Sequence, residues 1–364
     1  MVIQATVGAV KRRSVLRTAA LIAASTLALA ACAGTPDAVH PTAPALESAA
    51  PVGPAATPSE LPSVALSPSA TPSPSLAEES MPKDEQASAT FYNAPKKADA
   101  EYERLVSDGR DADAALMQVL VDQPTATWLG DNGEAIAEAT SVAAAAKAAG
   151  QVPLFVLYAI PGRDRGLYSA GGLPEEQYIG FAEEVGAAVA GSDAWVILEP
   201  DALPQLGDCD GQGDRVALLA GAAKALDDAG TKVFLDVGHS TWLSVDDAVA
   251  RIGKVGIEHL AGFATNTSNY NLTADEQAWG DKVSASIGLP YLVDTSRNGN
   301  GSNGEWCNPR GRSIGQSPAI LGSDRMFAAV WTKVVGESDG TCNGGPVAGA
   351  WWEDIALELV RNAR

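Results

Sequence analysis

The chain has 364 residues, enough for one large domain with flanking segments. It is acidic, with 45 Asp and Glu against 25 Lys and Arg. That argues against nucleic acid as a partner, because phosphate binding needs a basic surface. Three histidines without metal-ligand spacing, and no phosphate-cradling loop, give no reason to expect a metal or another cofactor.

Residues 1–31 read as an export signal. Lys11-Arg12-Arg13-Ser14-Val15-Leu16-Arg17 is a basic segment of twin-arginine character. Thr18 to Ala31 follows as a small, apolar run too short to span a membrane as a stable helix. It ends Leu29-Ala30-Ala31-Cys32, which resembles a bacterial lipobox and makes Cys32 the expected lipidated first residue of the mature protein. Plain cleavage near Ala31, releasing a soluble product, is the alternative. The expected location is therefore the cell envelope, anchored at the outer face of the membrane, or the medium. A lipid at Cys32 would be the only membrane contact.

Residues 32–87 carry 11 of the 22 prolines, mixed with Ala, Ser and Thr, and the first aromatic residue is Phe91. Such a stretch buries too little apolar surface to offset its ordering entropy, so it is expected to be an extended linker without a carbohydrate-binding module.

From residue 88 onward helical and strand patterns alternate. Helices are expected over Ala98–Leu120, Gly133–Ala149, Pro174–Ala190, Gly213–Ala229, Ala274–Gly288 and Trp352–Asn362. Strands are expected over Thr125–Leu129, Pro153–Ala159, Ala194–Leu198, Lys232–Leu235, Gly262–Asn266, Pro290–Val293 and Ala328–Lys333. Short apolar strands separated by helices indicate an α/β domain whose parallel sheet is covered on both faces. Periodicity does not distinguish an open sheet from a barrel. A monomer is the default expectation.

Four runs place an aspartate at or near a strand end: Tyr158-Ala159-Ile160-Pro161-Gly162-Arg163-Asp164, Ile197-Leu198-Glu199-Pro200-Asp201, Phe234-Leu235-Asp236-Val237-Gly238-His239 and Gly336-Glu337-Ser338-Asp339-Gly340. Loops after parallel strands converge on one face, so these acids can meet in one cleft. Carboxyl pairs flanked by tryptophans suit the cutting of a glycosidic bond. Taken singly, each aspartate is as easily a helix cap or turn former.

These runs, together with Asp294-Thr295-Ser296-Arg297-Asn298-Gly299-Asn300-Gly301 and Trp306-Cys307-Asn308-Pro309-Arg310-Gly311, resemble the family 6 glycoside hydrolases over residues 88–364. The resemblance implies a distorted parallel β/α barrel of about seven strands with an open cleft. It also implies hydrolysis of β-1,4-glucan (cellulose) with inversion at the anomeric carbon. Asp201 matches the family's proton donor, Asp164 the carboxylate kept near it, and Asp236 a supporting acid. Asp339 matches the proposed general base, acting through water. Tyr158 matches a tyrosine beneath the reacting sugar. Trp128, Trp242 and Trp306 match subsite tryptophans, and His239, Asn269, Lys333 and Glu337 match polar cleft residues. Trp195 and Trp331 lie within strand runs and read as core.

The resemblance further implies a disulfide between Cys307 and Cys342. A second family bridge cannot form: Cys209 keeps one place, but Arg165 occupies the other. Only nine residues separate Asp339 from Gly349, too few for the long insertion that roofs exo-acting members, so endo action is expected. The rival readings are a lipid-anchored glucan-binding protein with weak or lost catalysis, and a solute-binding component of a sugar importer. Neither needs four carboxylates. Gly336-Glu337-Ser338-Asp339-Gly340 also spells Gly-x-Ser-x-Gly, but a loop follows instead of a helix and no histidine lies beyond His259, which excludes a serine hydrolase.

Overall fold

The computed structural model describes residues 89–208, 211–323 and 325–363. The expected leader, linker and lipidated Cys32, and Cys209, lie outside them. One sheet contains β1 (Thr127–Leu129), β2 (Leu154–Leu157), β3 (Trp195–Leu198), β4 (Lys232–Asp236), β5 (Gly262–Thr265), β6 (Tyr291–Asp294), β7 (Ala319–Ile320) and β8 (Met326–Val330). Its order is β1-β2-β3-β4-β5-β6-β8-β7, parallel throughout except where β7 meets β8. The seven expected strands are all present. The eighth, β7, has two residues, too few to show any period.

The sheet curls into a half-barrel. The Ala126 N–H donates to the Trp331 carbonyl at 2.9 Å, and Trp128 Nε1 donates to the Thr332 carbonyl at 2.7 Å. The chain entering β1 is thus tied to the chain leaving β8, although the two strands are not ladder partners.

Strand side chains alternate between two apolar layers, as a period of two requires. Leu154, Val156, Trp195, Ile197 and Phe234 fill the concave interior. Phe155, Leu157, Val196, Leu198 and Leu235 face the helical layer. Trp195 is 2 % exposed and its ring centroid lies 5.2 Å from Phe91, 5.2 Å from Phe234 and 5.3 Å from Phe327. Trp331, 1 % exposed, is also core.

The helices are α1 (Lys97–Ser107), α2 (Asp111–Val121), α3 (Ala135–Ala149), α4 (Glu175–Val189), α5 (Arg215–Asp228), α6 (Val245–Val255), α7 (Thr273–Ile287) and α8 (Glu353–Arg361). The single helix expected over Ala98–Leu120 is in fact two, because Gly109 takes a left-handed φ of 71° and ends the first. Helix α6 was not expected, although Ser244 caps it by accepting the Asp247 N–H and Ala248, Ile252 and Val255 line its buried face. The last helix begins one residue later than expected, with Trp352 as its N-cap, and both Trp351 and Trp352 pack against the cluster formed by α1, α2 and α8. Cys307 and Cys342 form the expected disulfide.

Truncating the central ring of the interior removes packing on three sides. Trp195→Ala should destabilise the domain by about 3–5 kcal/mol, read by denaturant unfolding. A loss near zero would mean that the interior can collapse around the gap.

Candidate active site

A cleft of about 560 Å³ opens at the C-terminal ends of the strands. Of the sequence-derived candidates, Trp128, Tyr158, Asp164, Asp201, His239, Trp242, Asn269, Trp306, Lys333, Glu337 and Asp339 all line it. Asp236 does not. It is 1 % exposed and lies behind Asp201, where its Oδ1 accepts the Asp201 N–H at 3.0 Å and the Gly238 N–H at 3.1 Å.

Asp164, Asp201 and Asp236 stand at or beyond the ends of β2, β3 and β4, which are hydrogen-bonded neighbours. Burial, reinforced by the Asp236 and Asp164 carboxylates, pushes the Asp201 carboxyl well above its ordinary value, against a smaller opposing pull from Arg165. Burial also raises Asp164, whose Oδ2 accepts the Ser169 N–H at 2.6 Å. Asp236 is pushed up to about 7, again by burial. Burial and the neighbouring Asp201 and Asp164 raise Tyr158, so it stays neutral beside them. The shift at Asp201 favours a carboxyl that keeps its proton above the ordinary carboxylate range.

The backbone here is unusual. Asp164, Arg165, Glu199 and Asp201 have φ of 54°, 49°, 49° and 70°, in the left-handed region that side chains avoid. The fully buried Glu199 holds this geometry. Its two oxygens accept the Ala159 N–H at 2.9 and 3.1 Å, joining the turn that presents Asp201 to the residue after Tyr158. Burial pushes Glu199 up to about 7.

Asp339 has the opposite environment. Burial alone would raise it, but Arg297 and Lys333 overcome this and hold it well below the usual carboxylate range. Arg297 Nη1 donates to both carboxylate oxygens at 2.9 and 2.8 Å, and Lys333 Nζ lies 3.0 Å from Oδ1. Tyr270 Oη at 3.2 Å and the Asn308 N–H at 3.0 Å donate to Oδ2. Arg297 and Tyr270 were assigned no role from sequence. The one available signal is that Arg297 lies three residues past β6, inside a run already singled out.

The walls carry rings and amides. Trp128 meets Tyr158 edge-on at 5.2 Å, and His239 lies 5.5 Å from Trp242. Asn271 Nδ2 and Thr241 Oγ1 each lie 3.0 Å from His239 Nδ1 and fix the ring against the wall. Glu337 pairs with Lys97 at 2.5 Å. Arg163 does not reach for Asp164. It pairs with Asp131 at 3.0 Å, donates to the Tyr158 carbonyl at 2.7 Å, and lies 4.9 Å from the Tyr158 ring centroid. Tyr168 bridges from the Asp164 loop toward Trp306, at 6.0 Å, and rests on Gly340, where a Cβ would fall 2.4 Å from its ring. Among the described residues no cluster of His, Cys, Asp and Glu could hold a metal ion.

The glycosyl hydrolases family 6 model matches residues 86–363. Endoglucanase A of Cellulomonas fimi is 52 % identical over 257 residues, which is 69 % of this chain but 57 % of that protein. Endoglucanase 1 of Streptomyces sp. (strain KSM-9) is 43 % identical over 65 % of this chain and 69 % of its own length. This chain therefore spans little more than half of the first relative. Among solved structures, the endoglucanase Cel6 from Mycobacterium tuberculosis, in complex with methyl-cellobiosyl-4-deoxy-4-thio-β-D-cellobioside, superposes with a TM-score of 0.70 at 34 % identity. That match covers 76 % of this chain and 98 % of the other. With the curled parallel sheet, the strand-end acids and a match from residue 86 to 363 in agreement, the chain belongs to glycosyl hydrolase family 6.

Proposed function

We propose that the domain hydrolyses β-1,4-glucan internally and with inversion, Asp201 acting as general acid. The observation that carries this reading is the group of Asp164, Asp201 and Asp236 on three adjacent strand ends, in a cleft floored by Tyr158 and walled by tryptophans. Apolar ring faces suit the faces of pyranose rings, and the neighbouring amides and charged groups suit their hydroxyls. Asp201 gives its proton to the glycosidic oxygen as the C1–O bond breaks. In the same displacement water attacks C1 from the opposite face, and its proton passes to solvent water. Asp164 offsets the positive charge that develops on the ring. Asp236 supports Asp201 through its backbone N–H.

Asp339 is proposed as the end of the proton path, reached through water. It is a poor first acceptor, because both of its oxygens are already engaged by Arg297, Lys333, Tyr270 and Asn308. Endo action is supported by the short segment between Asp339 and Gly349 and by the names of the two relatives with the higher identities. A glucan-binding protein without catalysis has no need of a carboxyl held protonated. We further propose that the protein is exported as a monomer and anchored through a lipid on Cys32, on the strength of Leu29-Ala30-Ala31-Cys32.

Proton NMR of a cello-oligosaccharide digest should show the α-anomer first, and Asp201→Asn should lower kcat by at least about 100-fold. First appearance of the β-anomer would sink the inverting assignment. In a soluble cellulose derivative, viscosity should fall well before reducing ends accumulate.

The pH profile follows from the two environments. The donor must be protonated and its carboxyl is raised, so the alkaline limb lies above the ordinary carboxylate range, and activity is lost as pH rises past the donor's titration. Asp339 must be ionised and is depressed, so the acid limb expected from its protonation lies below the ordinary carboxylate range. In Arg297→Met that limb should move up by one unit or more, roughly the effect of one close opposite charge. An unmoved acid limb would remove Asp339 from the proton path. Labelled palmitate should enter the full chain but not Cys32→Ser; equal labelling of both would exclude Cys32 as the lipid site.

A further inference from the structure

Arg165 follows Asp164 directly on the same left-handed turn and lines the same cleft as Asp164 and Asp201. Its Nη1 lies 3.0 Å from Oδ2 of Asp208, on the segment that follows the Asp201 turn. The two side chains are 29 % and 35 % exposed. A pair this open to water contributes only about 0–1 kcal/mol to stability. The loops it joins are already held by stronger means. Arg163 Nε donates to the Ser169 carbonyl at 2.9 Å, Asp164 accepts the Ser169 N–H, and the buried Arg215 donates to the Pro161 carbonyl at 2.7 Å. The pair is therefore not needed as a clamp.

We propose that the Arg165–Asp208 pair meters the positive charge felt by the proton donor and so sets the alkaline limit of activity. This rests on Asp201 as donor, as argued above. The titratable groups that act on Asp201 are Tyr158, Asp164 and Arg165 from the β2 side and Asp236 from the β4 side, where His239 lines the same cleft. Across the cleft, Asp131 is paired with Arg163, Glu337 with Lys97, and Asp339 with Lys333. The Arg165 guanidinium, on the same cleft wall, pulls the Asp201 carboxyl down against the larger effects of burial and the Asp236 and Asp164 carboxylates. Asp208 does not line the cleft. By pairing with Arg165 it draws the guanidinium outward and cancels part of its charge. Arg165 and Asp208 are thus positioning residues that act through Asp201.

The test uses kcat/KM of the full chain on a soluble cello-oligosaccharide from pH 4 to 10, with thermal unfolding alongside. Arg165→Met removes the cation, so the alkaline limb should move up by about half a unit or more. Asp208→Asn frees the cation to act on the donor, so the limb should move down. Arg165→Lys should restore most of the wild-type profile, and Arg165→Met with Asp208→Asn should behave like Arg165→Met alone. Opposite shifts support the proposal, because loosening of a loop would move both single variants the same way. Shifts of the same sign, or none, overturn it. If Arg165→Met fails to fold, Asp208→Asn decides alone, a downward shift supporting the proposal and an unmoved limb rejecting it. Activity retained in Asp201→Asn would instead overturn the donor assignment, a separate failure.

Discussion

Everything in the cleft depends on crowding like charges onto neighbouring strands. Asp236 ends β4, and the loops that leave the neighbouring strands β3 and β2 bring Asp201 and Asp164 toward it. Buried together, three full negative charges would repel strongly in a medium of low dielectric constant. The least costly state keeps protons on some of them. A carboxyl that tends to keep its proton is what a general acid requires, and this is the role proposed for Asp201.

The opposite arrangement surrounds Asp339. Two cations, a phenol and a backbone N–H converge on one carboxylate and keep it charged. Asp201 and Asp339 have the same side chain and share one cleft, yet their environments drive them in opposite directions. The division of roles proposed for Asp201 and Asp339 rests on this separation.

Holding this geometry has a cost. Left-handed backbone at Asp164, Arg165, Glu199 and Asp201 strains the loops by about 1 kcal/mol or more at each residue. Buried carboxylates with several partners offset it. Glu199 ties the Asp201 turn to β2. Asp294 accepts N–H groups from Ser268, Ser296, Thr332 and Lys333, gathering the loops after β5, β6 and β8. Glu276, on α7, accepts from Ser240, Thr265 and Asn271, and Asn271 in turn holds His239. Each hub satisfies loop donors that would otherwise be buried unpaired.

Local pattern in the sequence determined which segments become strands and helices, because alternation and helical spacing are properties of neighbouring residues. It failed where the signal was brief or interrupted, as in the two-residue β7 and the helix divided at Gly109. Helix α6 carries its signal locally, in the Ser244 cap and the apolar spacing of Ala248, Ile252 and Val255. Resemblance to a family supplied the acids, the tryptophans and the Cys307–Cys342 pairing. Tertiary structure alone decided that Asp236 lies behind Asp201, that Arg163 pairs with Asp131 and not Asp164, and that Arg297 and Tyr270 engage Asp339. It also decided which acids hold protons, because a carboxyl's charge state depends on burial and on neighbours that are distant in sequence, and only the curled sheet brings those together.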